Sequence, residues 1–180
     1  MTFNDIINDY WESNISDEER LFYYPLYLWW QITGIYPQRP REFLLMPRDC
    51  IHPGRDGYYL TMRKNMLKGS ETEKTYKIPS DYKEVHGIIP DRLAKEVQKY
   101  QELTKDFPAN ELDTFLVSNT HYHKWGIRNR PSSRYFTYTN LRTVLHYFYT
   151  EIIFGRYNMK FQPDLDITYL KDGEIQMIHL

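Results

Sequence analysis

The sequence predicts a mixed α+β fold, mainly helical, with a small antiparallel sheet of two or three strands. Three observations carry this. Apolar residues recur at helical spacing in several segments that open on capping residues. Two strand-like runs are separated by a polar link containing Gly69-Ser70. No internal repeat, low-complexity tract or linker divides the chain, so its 180 residues read as one domain, long enough to enclose a sizeable core.

Ser16-Asp17-Glu18-Glu19 is a capping-box pattern that opens the first helix. Leu21, Pro25, Leu28, Trp29 and Ile32 follow at helical spacing, with Pro25 expected to kink the helix or delay its start. Gly34 is the natural C′ residue. Pro40 suits the first turn of a second helix running to about Met46, where Pro47 stops it. The runs 57–64 and 74–78 read as a hairpin. Pro90-Asp91 opens a third helix, to about Lys105, with Leu93, Val97, Tyr100 and Leu103 on one face. Thr114–Val117 is a short buried extended piece. Residues 119–137 are polar, basic and loop-like. A fourth helix from Thr139 or Asn140 turns Leu141, Val144, Leu145, Phe148 and Ile152 inward and ends at Gly155.

Seventeen Tyr, nine Phe and four Trp suit either a core of large rings or a surface for flat or amphipathic partners. No apolar run reaches membrane-span length and the N-terminus lacks the features of a signal peptide, so the chain is expected in the cytoplasm. With Cys50 as the sole cysteine, no internal disulfide can form. The net charge of −1 conceals blocks: residues 39–83 carry +4 and 120–160 carry +6, while the segments around them are acidic. The two basic blocks can fold into one positive face for nucleic acid, or simply lie on solvated surfaces.

The stretch Thr33-Gly34-Ile35, then Arg39-Pro40-Arg41-Glu42, Phe43-Leu44-Leu45 and Arg48-Asp49 resembles the first catalytic box of tyrosine recombinases, the phage-integrase family. There a helix ending in Thr-Gly leads to Arg-x-x-Glu, an apolar run and a small antiparallel sheet. The resemblance continues through Lys64, Lys68-Gly69 and Ile78-Pro79, which is similar to the family's hairpin lysine and its strand ending in Val-Pro. A helix follows in both. The match covers about residues 20–105.

The resemblance implies DNA strand exchange through a phosphotyrosine. A guanidinium offers fixed, forked donors to the phosphate oxygens, and an amine on a hairpin can protonate the leaving oxygen. By the resemblance Arg39 is the phosphate clamp and Lys68 the general acid, with Arg41 and Lys64 as alternatives. Tyr36-Pro37-Gln38 are extra residues relative to the family pattern. Glu42 is expected to orient its neighbours or cap the helix. Lys124, Arg128, Arg130 and Arg134, interleaved with Tyr122 and Trp125, are expected to contact DNA. Double-stranded DNA and other recombinase protomers are the implied partners, with no cofactor and no membrane.

The family's His-x-x-Arg box and nucleophilic tyrosine have no match in their expected places. His52 and Arg55 fit the bare spacing, but in the turn before the first strand. The chain is therefore expected to be the front part of a catalytic domain, a truncated product or half of a split protein, inactive alone. Residues 1–18 read as the stub of a preceding DNA-clamping domain. A non-enzymatic DNA-binding remnant and an aromatic-rich interaction domain are the alternatives. His121 and His123, even with Cys50, His52 or His86, lack recognisable metal-ligand spacing, so no metal site is expected. Cys50 and His52 make a poor catalytic pair.

Overall fold

The computed structural model describes residues 2–66, 77–117 and 134–159. The fold is mixed α+β, as expected. In chain order it comprises α1 (Phe3–Glu12), α2 (Asp17–Ile35), the short α3 (Pro40–Leu44), strands β1 (Ile51–Gly54) and β2 (Gly57–Asn65), a single turn α4 (Ile78–Asp81), β3 (Tyr82–Ile89), α5 (Asp91–Leu103), α6 (Tyr138–Tyr147) and a π-helical continuation, Phe148–Arg156.

The helices begin where local chemistry satisfies their free amides. Thr2 caps α1 through a reciprocal box with Asp5, and Thr137 caps α6 through another with Asn140. At α2 the box is half closed: Ser16 accepts from the Glu19 amide at 3.1 Å. The Glu19 carboxylate instead accepts the Tyr10 hydroxyl at 2.6 Å. Tertiary packing has taken the side chain that the local motif would have used. Pro25 lies buried inside α2 and does not delay its start.

Helix α2 is the spine, packing on α5 and α6, while α5 and α3 also lie against the sheet. One core cluster gathers Ile6, Ile7, Tyr10 and Trp11 of α1 with α2, α5, α6 and the sheet residues Leu60, Met62 and Ile89. Helix α1, to which the sequence reading gave no element, thus shares the common core. Thr114–Val117 is buried, but instead of an extended piece it bends at Phe115 and Leu116 between isolated bridges from Thr114 to Pro47 and from Val117 to Tyr135.

The sheet is antiparallel with order β1-β2-β3. Gly57, at φ 130°, closes the β1–β2 turn in a conformation open to glycine. Four consecutive residues of the central strand, Leu60 to Arg63, are buried, so both faces of β2 are covered. His52, placed by sequence in a turn, lies in β1.

The third strand departs from expectation. Ile78 and Pro79 belong to α4, and the partner of β2 is Tyr82–Ile89. The Ile-Pro step that closes a strand is Ile89-Pro90. Of the run expected as a strand, Lys74–Tyr76 lie outside the described residues; Tyr82–Ile89 places Leu60, Met62 and Ile89 together in the core. Gly34 also differs: it sits in the last turn of α2, which ends at Ile35 on an extended Tyr36. Helices α3 and α5 stop two residues earlier than expected, at Leu44 and Leu103. Gly155 does not end the last helix but lies inside the π-helical segment. Leu145 is half-buried, whereas Leu141, Val144, Phe148 and Ile152 are buried.

Candidate functional site

Arg39 occupies the N-cap of α3, extended at φ −67°, ψ 145°. That conformation follows from Pro40, whose ring disfavours a helical residue before it. Pro40 itself starts the helix without loss, since its missing N–H would have had no intrahelical acceptor. Arg39 is exposed, and its guanidinium has no ion-pair partner among the described residues. Arg41, one turn into α3, is half-buried and already engaged.

Glu42 is the node of the site. It is buried, and both of its oxygens are used. Oε2 accepts the Arg39 amide at 3.0 Å and the Lys64 ammonium at 3.2 Å; Oε1 accepts the Asn65 amide at 3.1 Å. Glu42 therefore caps α3 and orients its neighbours, as its sequence position suggested. It also ties α3 to the end of β2, which the sequence did not reveal. A buried carboxylate is costly without such donors. Bonds to a charged group contribute about 1.5–3 kcal/mol each in favourable cases, here reduced because the Lys64 side chain is about a third exposed.

Lys64 also donates to the Pro37 carbonyl at 2.8 Å. Its amine is thus held by α3 and by the strap Tyr36–Arg39, and its role in this arrangement is to join elements. The strap has a second anchor. The Tyr36 hydroxyl donates to the Ile88 carbonyl at 2.7 Å. Its ring lies over Gly87, where a Cβ would come within 2.4 Å of it. Tyr36, Pro37 and Gln38 therefore form a band from α2 across β3 to the end of β2. Between these anchors Gln38 is buried, with neither side-chain amide atom hydrogen-bonded among the described residues.

Arg63, adjacent to Lys64 in sequence, points to the opposite face of the sheet. It donates to the carbonyls of Leu45 at 3.0 Å and Leu112 at 3.1 Å. Arg48 likewise donates to the carbonyls of Thr104 and Phe107. These two arginines are structural ties. The basic block 39–83 thus contains two functions: cations that fasten backbone, and cations left open.

Lys68, Lys124, Arg128, Arg130, His121 and His123 lie outside the described residues. Arg134 is exposed and precedes Tyr135, the bridge partner of Val117. Among the described residues no group of three or more His, Cys, Asp or Glu side chains could hold a metal ion. The Cys50 thiol is buried, and burial pushes its ionisation well above the ordinary range, while His86 Nδ1 is 2.9 Å from the Thr61 hydroxyl. Among the described residues no helix is long and apolar enough to cross a membrane. Comparison of the chain with protein-family models, with curated proteins and with solved structures finds no match.

Proposed function

We propose that this chain is a DNA-binding, phosphate-activating part of a tyrosine-recombinase catalytic domain, acting in site-specific DNA integration for a mobile element. The observation that carries the reading is the Glu42 node. It joins the segment bearing Arg39, an arginine with no ion-pair partner among the described residues, to the end of the strand that precedes Lys68 in the chain. The element order supports the same reading: α2, the Arg-x-x-Glu helix, a three-stranded antiparallel meander closed by Ile89-Pro90, then α5.

In this reading Arg39 binds the non-bridging oxygens of the scissile phosphate. A guanidinium keeps its proton and presents planar, paired donors as charge builds on those oxygens. Lys68 protonates the leaving 5′-oxygen. Arg41 is the alternative clamp and Lys64 the alternative acid, although its bonds to Glu42 and Pro37 suit it better to positioning. Lys124, Arg128, Arg130 and Arg134 contact the DNA backbone around the site, and other protomers of the recombinase assemble on the same DNA. The competing interaction-domain reading rested on aromatic richness. Tyr10, Tyr23, Tyr24, Tyr27 and Tyr100 are in the core, which gives that richness a structural use.

The test is binding to a labelled duplex measured across salt concentrations. Affinity is expected to fall linearly on a log–log scale, with non-specific dissociation constants on the order of 10⁻⁴–10⁻⁶ M at physiological salt. Arg39→Ala is expected to weaken binding and leave the thermal unfolding midpoint unchanged. Absence of binding at low salt would sink the reading.

A further inference from the structure

We propose that Lys83 is a further contact for the DNA phosphate backbone, extending the Arg39 site across β3; this rests on the DNA-binding reading above. Nothing in the sequence singles out Lys83. It stands two residues after the short α4 turn, in a strand whose register is visible only in the folded sheet.

That register pairs Lys83 directly with Lys64. Directly opposed residues of an antiparallel pair project from the same face, and like charges there are unfavourable. The fold neutralises one of the two. Lys64 is held by the Glu42 carboxylate and the Pro37 carbonyl. Both Glu42 oxygens are occupied by Arg39, Lys64 and Asn65, so that carboxylate is fully engaged by the other three. The nearest acids in sequence are also turned to other partners: Asp81 accepts the Ser80 hydroxyl at 2.7 Å, and Glu84 faces Arg63 at 3.8 Å on the other side of the sheet. Lys83 is exposed and has no hydrogen-bond or ion-pair partner among the described residues.

Arg39 is beside it. Its amide hydrogen-bonds the same Glu42 oxygen that holds the Lys64 ammonium. The Tyr36–Arg39 strap, anchored on Gly87 and Ile88, carries Arg39 to the Lys64–Lys83 end of the sheet. Arg39 and Lys83, both without an ion-pair partner among the described residues, are therefore each tied to the neutralised Lys64, Arg39 through the Glu42 carboxylate that its backbone shares and Lys83 through the strand register. The chemistry this arrangement recognises is a polyanion with several phosphates in reach, and the duplex backbone is the occupant the site reading supplies. A simpler role exists for a lysine on an edge strand, since such charges discourage strand-to-strand aggregation. The two roles differ in what they predict for salt dependence.

The experiment is a salt titration of duplex binding by the wild-type chain and by Lys83→Gln, Lys83→Arg and Lys105→Gln. Lys105, paired with Glu102 beyond the end of α5, is the control for net charge. Lys83→Gln is expected to lower the log–log salt slope by about 1 and to weaken binding roughly fivefold to tenfold near 0.1 M salt, equally on unrelated sequences. Lys83→Arg is expected to keep the wild-type slope, which separates charge loss from misfolding. If the wild type binds and Lys83→Gln keeps its slope, or Lys105→Gln loses as much, the assignment of Lys83 is overturned while the DNA reading stands. If the wild type shows no binding at low salt, both fall together.

Discussion

The aromatic layer between α1, α2 and the α6–π helix and the polar end of the sheet around Glu42 handle buried polar groups in opposite ways. In the aromatic layer the rings go inside; Tyr10, Tyr24 and Trp11 send their polar atoms to carboxylates at the rim, while the buried Tyr23 hydroxyl has no hydrogen-bond partner among the described residues. Tyr10 donates to Glu19 at 2.6 Å, and Glu96 accepts both Tyr24 at 2.8 Å and Trp11 at 3.0 Å. The rings meet edge to face: Tyr10, Tyr23 and Phe148 form a triangle with centroids 5.6 Å apart, while Trp11 stacks on Tyr27 at 4.0 Å. Arg20 and Arg156 close the layer over the Trp11 and Tyr10 rings. At the sheet end the carboxylate itself is inside, and amides and an ammonium come to it. The first arrangement leaves little for a ligand to gain. The second uses one acid to set backbone and one lysine in place, and Arg39 and Lys83 have no counter-ion among the described residues. One region is organised for stability; the other is, in the proposed reading, the place for an incoming anion.

The largest test of this contrast is Phe148→Ala. It removes a fully buried ring from the triangle and from contact with Phe3, and should cost about 3–5 kcal/mol in urea unfolding. Duplex binding per folded molecule should not change. A loss of binding without a loss of stability would break the division between the regions. Glu42→Gln comes next. It keeps the volume but removes the charge that holds Lys64, and should destabilise by about 1–3 kcal/mol. Unlike the core change it should also weaken the Arg39-dependent part of binding. If stability falls and binding does not, Glu42 is a fold residue alone.

A smaller effect separates the regions by pH. Burial, followed by the bond to Asp9, pushes the Tyr157 hydroxyl up to about 12. Burial pushes Tyr10, Tyr23, Tyr24 and Tyr100 higher still. A raised value in the folded state means that folding favours the protonated phenol. This stabilisation is complete below about 10, the unfolded value, and is lost as pH rises through the folded values. Alkaline titration followed by tyrosinate absorbance should therefore show these five hydroxyls ionising late, together with unfolding. Early ionisation of all the tyrosines, before any loss of structure, would contradict the packing described.

Much of the helical part was legible because its signals are local. Ser16 as a cap, the Pro90-Asp91 start of α5 and the apolar faces of α5 and α6 depend on residues within a turn or two of one another. The exceptions are instructive. Glu19 had a local use in the capping box and was drawn off by Tyr10, and Gly34 had a local use as a helix end but was overtaken by Tyr36, whose bond to Ile88 spans 52 positions. At the site the Arg39–Glu42 spacing was readable within α3. The partners of Glu42 were not, since Lys64 lies 22 positions away and on another element.

Local sequence was enough to say where α2, α3 and α5 begin, that Pro40 opens α3, and that two basic blocks stand among acidic ones. Steric exclusion, capping and side-chain periodicity act over a few residues and need no knowledge of the rest of the chain. Which strand pairs with β2, which cations fasten backbone and which stay open were set by long-range packing. Strand pairing is chosen by which face reaches the core, and a charge is open or neutralised according to what folding brings beside it. Lys64 and Lys83 have the same chemistry and sit opposite one another; the buried Glu42 carboxylate, reached by Lys64 and fully used there, is what makes them different.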